Sequence, residues 1–252
     1  MSINNLNNIL HVNFDLISYE DVLSMIMDWQ KGGQQHYITL TPPYSVLMCH
    51  RDNNLRTATE KASLTLPDGV GIILAAKLLK YPQSGRVSGP TLMLRLCDWG
   101  RQYKLKHFFY GGASGVAEGL VERLTKSYPG LHVVGTYCPP FRELLPDEDV
   151  EISQKINITR PDIVWVGLGS PKQEKWMAEH LNKISATAMI GVGAAFDFHS
   201  GRVKWAPAWM RKFGIEWAYR LINEPKRMWR RNINSFIFLA KILQQRFQNT
   251  SQ

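Results

Sequence analysis

The sequence of 252 residues lacks long apolar runs and has only three cysteines. Its most apolar segments, 70–79 and 236–243, are shorter than the roughly 18 apolar residues of a membrane-spanning helix, and each contains a lysine. The first eight residues have neither the basic nor the apolar region of a secretory signal, so we expect a cytosolic location. The cysteines are widely spaced without a C-x-x-C pair, which argues against a disulfide framework and a thiolate zinc site.

Several catalytic signatures are also missing. There is no H-E-x-x-H pattern, P-loop, complete G-x-G-x-x-G or G-x-S-x-G elbow. These absences disfavour a protein-built metal site, an NTPase, a nicotinamide-dependent oxidoreductase and a serine hydrolase. The composition, with 44% hydrophobic and 20% charged residues, is that of a globular protein and excludes a disordered or collagen-like chain.

The net charge of +9 is concentrated at the end of the chain. Residues 1–199 contain 19 basic and 19 acidic residues, whereas residues 200–252 contain 11 basic residues and only two acidic ones. The same segment holds four of the eight tryptophans. A basic, aromatic segment suits an anionic partner with an apolar neighbourhood, such as a phosphorylated ligand, an anionic membrane surface or nucleic acid.

Short apolar runs alternate with longer amphipathic stretches, which predicts an α/β fold with a mostly parallel, Rossmann-like sheet flanked by helices. A short strand or hairpin is expected within residues 9–17, and a capping box at Ser18 and Asp21 opens the first helix. The predicted strands are Tyr37–Leu40, Leu64–Leu66, His107–Tyr110, His132–Val134, Ile163–Val166 and Ala188–Gly191. The predicted helices are 18–30, 44–51, 69–79, 91–104, 114–127, 148–159, 171–182, 208–223 and 225–248.

The amino-acid composition changes after Gly201, which predicts an α/β core over 1–200 and a basic, Trp/Arg-rich helical appendage over 201–252. In the last predicted helix, apolar residues recur at helical spacing over 233–243. This pattern fits a helix that packs on the core or in a homo-oligomer contact, and equally one that lies on a membrane. Periodicity alone does not separate these alternatives.

Two polar turns follow predicted strands, where a doubly wound sheet presents its ligand crevice. The hydroxyls of Thr39 and Thr41 could bind a sugar or phosphate, although threonine is common in strands. Asp68 precedes Gly69 and Gly71, so its carboxylate could enter the crevice as a general base. The same residue would also serve as a helix N-cap, and in isolation that interpretation is favoured.

Three further turns are rich in glycine and could present backbone N–H groups to an anion, or could simply end strands. They are 110–115, which includes Gly112, 167–170, and 191–196. Lys172 and Gln173 begin the helix that follows the second turn. We expect them at the mouth of the ligand crevice, although they could also be ordinary solvent-exposed residues.

The order of the motifs along the chain is a more specific signature of a protein family than any single motif. The motifs comprise Thr39-x-Thr41-Pro, Leu66-Pro-Asp-Gly-Val-Gly71, Arg86-Val-Ser-Gly89, Tyr110-Gly-Gly, Pro171-Lys-Gln-Glu-Lys-Trp176, Phe196-Asp-Phe198, Glu216-Trp-x-Tyr-Arg-Leu and Glu224-Pro-x-Arg. This series resembles the WecG/TagA/CpsF family, glycosyltransferase family 26, over about residues 8–235. Thr41 and Thr91 depart from the family pattern, which often has Asn and Asp at these positions.

The resemblance implies an inverting transferase in bacterial cell-surface or exopolysaccharide synthesis that moves a sugar from a UDP-sugar to a polyprenyl-diphosphate-linked saccharide. It implies no cofactor or metal beyond the UDP-sugar co-substrate, and a peripheral location on the cytoplasmic face of an anionic membrane. Asp68 would be the general base, and Thr39 and Gln173 would contact the sugars. Arg220, Arg227 and Arg230 would reach a diphosphate from the appendage. Thr41, Arg86, Gly112, Lys172 and Asp197 complete the expected substrate-binding set. The donor could be glucose, N-acetylmannosamine or its uronic acid.

A hypothesis of another class is a non-catalytic module whose basic end binds a membrane or nucleic acid. Tryptophans can stack on bases and arginines can neutralise phosphates. This module would bind polynucleotides in a strongly salt-dependent way and would be insensitive to Asp68→Asn. It leaves Asp68 and the Lys172–Gln173 helix start without a role, so nucleic acid is not expected as a partner.

Overall fold

The computed structural model describes residues 7–82 and 85–250. Within the last helix, the side chains of residues 227, 230–232 and 249–250 lie outside this description.

A parallel sheet of six strands forms the centre of the fold, with the order β4-β3-β8-β7-β5-β6. All six strands predicted from the sequence are confirmed, and the sheet is flanked by helices as expected. Because every pairing in this sheet is parallel, the carboxyl ends of its strands lie at one edge. The strands are β3 His36–Thr41, β4 Leu64–Pro67, β5 Lys106–Gly111, β6 His132–Tyr137, β7 Ile163–Gly167 and β8 Ala188–Gly191.

Apolar side chains alternate between the two faces of the sheet. Ile38, Leu40 and Phe109 belong to one buried cluster, whereas Tyr37 and Phe108 belong to another on the opposite face. Both faces are therefore covered, which explains the nearly continuous apolar sequence of the strands.

A short antiparallel hairpin precedes the sheet, as predicted, and consists of β1 Asn7–Ile9 and β2 Val12–Phe14. Asp15 then binds the edge strand β4, because its carboxylate accepts the Thr65 N–H at 2.7 Å and its own N–H donates to the Thr65 carbonyl at 2.9 Å. These bonds cover an otherwise unpaired sheet edge. Burial raises the pKa of the Asp15 carboxyl above its usual value.

Twelve α-helices and one 3₁₀ helix are found in the described part of the chain. The predicted capping box is confirmed, because the Ser18 hydroxyl accepts the Asp21 N–H and the Asp21 carboxylate accepts the Ser18 N–H. The helices are α1 Tyr19–Gly32, α2 Pro43–Cys49, α3 Asn53–Glu60, α4 Val70–Leu78, α5 Gly89–Trp99, the 3₁₀ helix Gly100–Tyr103, α6 Val116–Ser127, α7 Pro146–Ile158, α8 Lys172–His180, α9 Ala195–Ser200, α10 Ala208–Lys212, α11 Glu216–Asn223 and α12 Pro225–Thr250.

Three features differ from the sequence predictions. Helix α3 was not predicted, because its segment is mostly polar, yet the Asp52 carboxylate caps it by accepting the Leu55 N–H at 3.0 Å. Helix α9 was also missed, since it begins inside a glycine-bearing turn. The prediction of one helix over 208–223 was wrong: Gly214 adopts a φ of +72°, which ends α10 and separates it from α11.

Helix α12 has one packed face and one exposed face. Phe238 and Ile242 are fully buried in a cluster with the β1–β2 hairpin, α2 and α4. Gln245 accepts the Leu10 N–H and donates to the Asn8 carbonyl, both at 3.0 Å, which fixes the helix to the hairpin. No helix in residues 7–82 and 85–250 is long and apolar enough to span a membrane. The division of the chain at residues 200 and 201 stays a prediction.

Candidate functional site

Three cavities lie side by side at the carboxyl edge of the sheet. The central cavity, of about 240 Å³, is lined by residues that follow β3, β4 and β8 and by residues of α11 and α12. The glycine cavity, of about 800 Å³, lies over the ends of β5 and β7 and shares Gly169, Gly193 and Ala194 with the central cavity. The lateral cavity, of about 520 Å³, lies on the other side, between α4 and α10.

Asp68 lines the central cavity and is half-buried. The turn that carries it is tied to β3 by a 3.4 Å hydrogen bond from the Asp68 N–H to the Thr41 carbonyl. The N-cap position of α4 is Gly69, with a φ of +88°, and no side chain at that position caps the helix. Asp68 thus stands one residue before the N-cap position, and its role as a cap or as a general base stays a prediction.

Gln173 also lines the central cavity, at the start of α8. Its side-chain oxygen accepts the Gly169 N–H, and its side-chain nitrogen donates to the Glu174 carboxylate, both at 3.2 Å. Gly191 leaves room for this amide, since a Cβ there would lie 3.0 Å from Gln173 Nε2. Glu174 is buried, and desolvation raises the pKa of its carboxyl. The Gln173 amide is therefore held in one orientation at the wall of the central cavity.

Thr39 and Thr41 lie below this cavity and are not among its lining residues. The Thr41 hydroxyl donates to Thr39 at 3.5 Å, and Thr39 donates to Thr65 at 3.2 Å. The two threonines are fully buried in this chain of hydroxyls. The structure thus does not bring them into the cavity with Asp68, and direct sugar contact by either one stays a prediction.

Two of the predicted arginines line the central cavity. Arg86 forms an ion pair with Glu216 at 3.3 Å, which joins the core to α11. Arg220 extends from α11, and its Nε and one terminal nitrogen are buried without a hydrogen-bond partner. The side chains of Arg227 and Arg230 lie outside the described residues. The break at Glu224 places Arg220 on a different helix from these two residues.

The remaining predicted residues, Gly112, Lys172 and Asp197, line the glycine cavity. Gly112 donates its N–H to the Gly167 carbonyl at 3.2 Å and has a φ of +79°. The cavity also borders the chain just before α6 and the first residue of α8. Helix N-termini and a lysine favour a negatively charged ligand in this cavity.

The structure adds lining residues that the sequence did not single out as site residues. Tyr44 and Ser45 line the central cavity, and Trp205 and Arg211 line the lateral one. The sequence features that could have pointed to these residues are a Pro-Pro-Tyr turn after β3 and the high Trp and Arg content of the appendage. Within the described ranges, no group of three or more His, Cys, Asp or Glu side chains could hold a metal ion.

Comparison with known proteins agrees with the motifs. The model of the glycosyl transferase WecG/TagA/CpsF family matches residues 7–252. The chain belongs to this family.

Relatives of this WecG/TagA/CpsF member include two Bacillus enzymes named N-acetylglucosaminyldiphosphoundecaprenol N-acetyl-beta-D-mannosaminyltransferase. The protein from Bacillus spizizenii is 30% identical and aligned over 94% of this chain and 90% of its own. The protein from Bacillus subtilis strain 168 is 29% identical over 93% of this chain and 88% of its own. A protein of the same name from Staphylococcus aureus strain MW2 is 33% identical over 72% of this chain and 69% of its own. The WecG/TagA/CpsF chain is thus a glycosyltransferase.

Proposed function

We propose that this glycosyltransferase moves a hexose from a UDP-sugar to a polyprenyl-diphosphate-linked saccharide, with inversion and without a metal ion. The observation that carries the proposal is the central cavity, which is lined by the Asp68 carboxylate, the Gln173 amide and the Arg220 guanidinium. The names of the relatives, which specify a diphosphoundecaprenol-linked acceptor, support this class of acceptor.

In the proposed reaction, Asp68 accepts the proton of the acceptor hydroxyl as its oxygen attacks the anomeric carbon of the donor. The new carbon–oxygen bond forms on the face opposite the bond to UDP, which breaks and leaves its electron pair on the diphosphate. One displacement inverts the anomeric configuration. A positioned general base of this kind contributes about 10²–10⁴-fold to the rate.

The departing UDP carries additional negative charge that needs compensation. Arg220 supports this role because its Nε and one terminal nitrogen are buried and have no hydrogen-bond acceptor within the described part of the protein. Lys172 and the N-terminus of α8 offer further positive charge at the border with the glycine cavity. Fixed cations and helix ends of this kind can stabilise a leaving diphosphate without a divalent ion.

The UDP moiety is proposed to occupy the glycine cavity. At about 800 Å³, this cavity has room for a nucleotide. The Asp197 carboxylate, which lies 3.9 Å from Arg202, can accept hydrogen bonds from ribose hydroxyls. Gly112 allows the backbone to approach the ligand closely. The donor sugar would then extend into the central cavity, towards Gln173 and Asp68.

The enzyme is proposed to bind the inner face of the cell membrane through its appendage. Exposed apolar side chains continue along α10, α11 and α12 among many basic residues, a combination that suits anionic lipid. The exposed aromatic residues of this surface are Trp209, Phe213, Trp217, Trp229, Phe236 and Phe247.

The test is a transfer assay with purified protein, a panel of UDP-sugars and a polyprenyl-diphosphate-linked N-acetylglucosamine, with and without EDTA. The panel includes UDP-glucose, UDP-N-acetylmannosamine and its uronic acid. Asp68→Asn should lower kcat by about 10²–10⁴-fold, because an amide cannot accept the proton. Asp28→Asn, at an exposed position of α1, is the matched control and should keep full activity.

Three results would contradict the proposal. Full activity of Asp68→Asn would exclude the base, and product formation that requires a divalent ion would exclude the metal-free reaction. Retention of the donor's anomeric configuration in the product would exclude a single displacement.

A further inference from the structure

The lateral cavity is not used by the reaction described above. It is bounded by the first turn of α4, the start of α5 and the residues of α10 and α11. It shares Val70, Arg86, Ser88, Gly214 and Glu216 with the central cavity, so the two cavities meet at a common wall. Any ligand in the lateral cavity would therefore lie next to the site of sugar transfer.

Three residues that line this cavity carry a buried nitrogen donor without a hydrogen-bond acceptor in the described part of the protein. These donors are Arg86 Nε, Arg211 Nε and the indole Nε1 of Trp205. The Arg211 guanidinium lies 3.6 Å from the centre of the Trp205 ring, so each side chain restricts the other. A buried donor without an acceptor costs about 1–3 kcal/mol, so three such donors on residues of one cavity favour a ligand that brings several acceptor oxygens.

The charge and the apolar surface of the cavity narrow the class of ligand. Its lining has three cations, Arg86, Arg211 and Lys212, against one carboxylate, Glu216, which leaves two net positive charges. The remaining wall is partly apolar and includes Val70, Ile73 and Phe213, of which Phe213 is largely exposed. An anion with an apolar extension fits both properties.

We propose that the lateral cavity binds the diphosphate of the prenyl-linked acceptor through Arg86, Arg211 and Trp205. The first isoprene units leave over Val70, Ile73 and Phe213, towards the exposed aromatic residues of the appendage. This inference rests on the proposed function, because it assigns one substrate of that reaction to a site.

The arrangement of the cavities supports the acceptor rather than the donor as the occupant. An inverting displacement needs the nucleophile and the leaving group on opposite sides of the anomeric carbon. The glycine cavity and the lateral cavity open from different walls of the central cavity and share no lining residue. Donor and acceptor diphosphates can therefore approach Asp68 from the two sides.

The test measures binding of farnesyl diphosphate, inorganic diphosphate and UDP by isothermal titration calorimetry. Arg211→Gln and Trp205→Phe should each weaken farnesyl diphosphate binding by about tenfold, because each removes a donor to a charged oxygen. Their affinity for UDP should stay within about twofold of the wild type. Trp205→Phe keeps an aromatic ring beside Arg211, so a loss in this variant isolates the indole N–H.

Lys204→Gln is the matched control, since Lys204 is an exposed cation of the same segment and is absent from the cavity lining. It should bind all three probes as the wild type does. Wild-type protein should also bind farnesyl diphosphate more tightly than inorganic diphosphate, and equal affinities would contradict the prenyl assignment. An equal loss of UDP affinity in Arg211→Gln and Trp205→Phe would assign the cavity to the donor and overturn the proposal.

Kinetics separate this inference from the proposed function. With the preferred UDP-sugar, Arg211→Gln should raise KM for the lipid-linked acceptor and leave KM for the donor unchanged. If the wild type transfers no sugar, the proposed function fails, while the binding measurements still decide what the lateral cavity holds. If transfer occurs and KM for the acceptor is unchanged in both variants, only the present inference fails.

Discussion

Two phenylalanines on α12 allow packing to be separated from membrane contact. Phe238 is fully buried against the hairpin, α2 and α4, whereas Phe236 is 72% exposed. We predict that Phe238→Ala destabilises the fold and that Phe236→Ala weakens binding to anionic vesicles.

The magnitudes follow from these exposures. Removing a buried phenyl ring costs about 3–5 kcal/mol, which corresponds to a fall in Tm of about 6–20 °C for a chain of this length. An exposed substitution changes stability by about 0.5 kcal/mol or less. Burying a whole phenylalanine in an apolar phase is worth about 1.5–3 kcal/mol, so the exposed part of Phe236 contributes about 1–2 kcal/mol, or about 5–30-fold in partitioning.

The measurements are thermal unfolding by circular dichroism and co-sedimentation with phosphatidylglycerol-containing vesicles. Phe236→Ala should unfold at the temperature of the wild type and sediment less. Phe238→Ala should unfold at a lower temperature. Equal losses of Tm in the two variants, or unchanged vesicle binding of Phe236→Ala, would refute the division of α12 into a packed face and a lipid face.

Two further predictions concern the core of the sheet. Gly191→Ala should lower kcat/KM, because its Cβ would lie 2.8 Å from Met177 Cε and 3.0 Å from Gln173 Nε2. The control is Gly119→Ala on α6, whose Cβ would meet nothing within 4 Å and which should keep activity. Equal transfer rates in the two variants would exclude this steric role. Burial lowers the pKa of His107 to about 3, so the unfolded chain takes up a proton below about pH 6.5 that the folded chain does not, and stability falls with acid. Between pH 7 and pH 5, the free energy of unfolding measured in urea should fall by about 2 kcal/mol more in the wild type than in His107→Gln. Identical decreases in the two proteins would contradict this prediction.

The strands could be predicted from sequence because each is an apolar run between polar or glycine-containing turns. Helix α3 could not, since its formation depends on burial of Leu55 and Ala58 against distant elements rather than on a strong local pattern. The separation of α10 from α11 depends on the backbone conformation of Gly214, which sequence permits but does not specify.

Two of the expected site residues lie on turns after strands, where the sequence placed them. Asp68 and Gln173 follow β4 and β7 along the chain, and the edge of a parallel sheet brings such turns together. Thr39 fits the same rule but points into a buried chain of hydroxyls, because strand alternation decides which side it faces. The lateral cavity was beyond prediction, since Arg86 and Arg211 meet there only through tertiary packing.

The attachment of α12 to the β1–β2 hairpin has a consequence for biosynthesis. Arg220 and Met228 complete the wall of the central cavity, and the helix that carries Met228 is secured by Gln245 to the backbone of Asn8 and Leu10. A nascent chain still emerging from the ribosome lacks that wall, however well its sheet has already folded. We therefore expect the proposed site to be completed late in translation, when the last helix packs on the first hairpin.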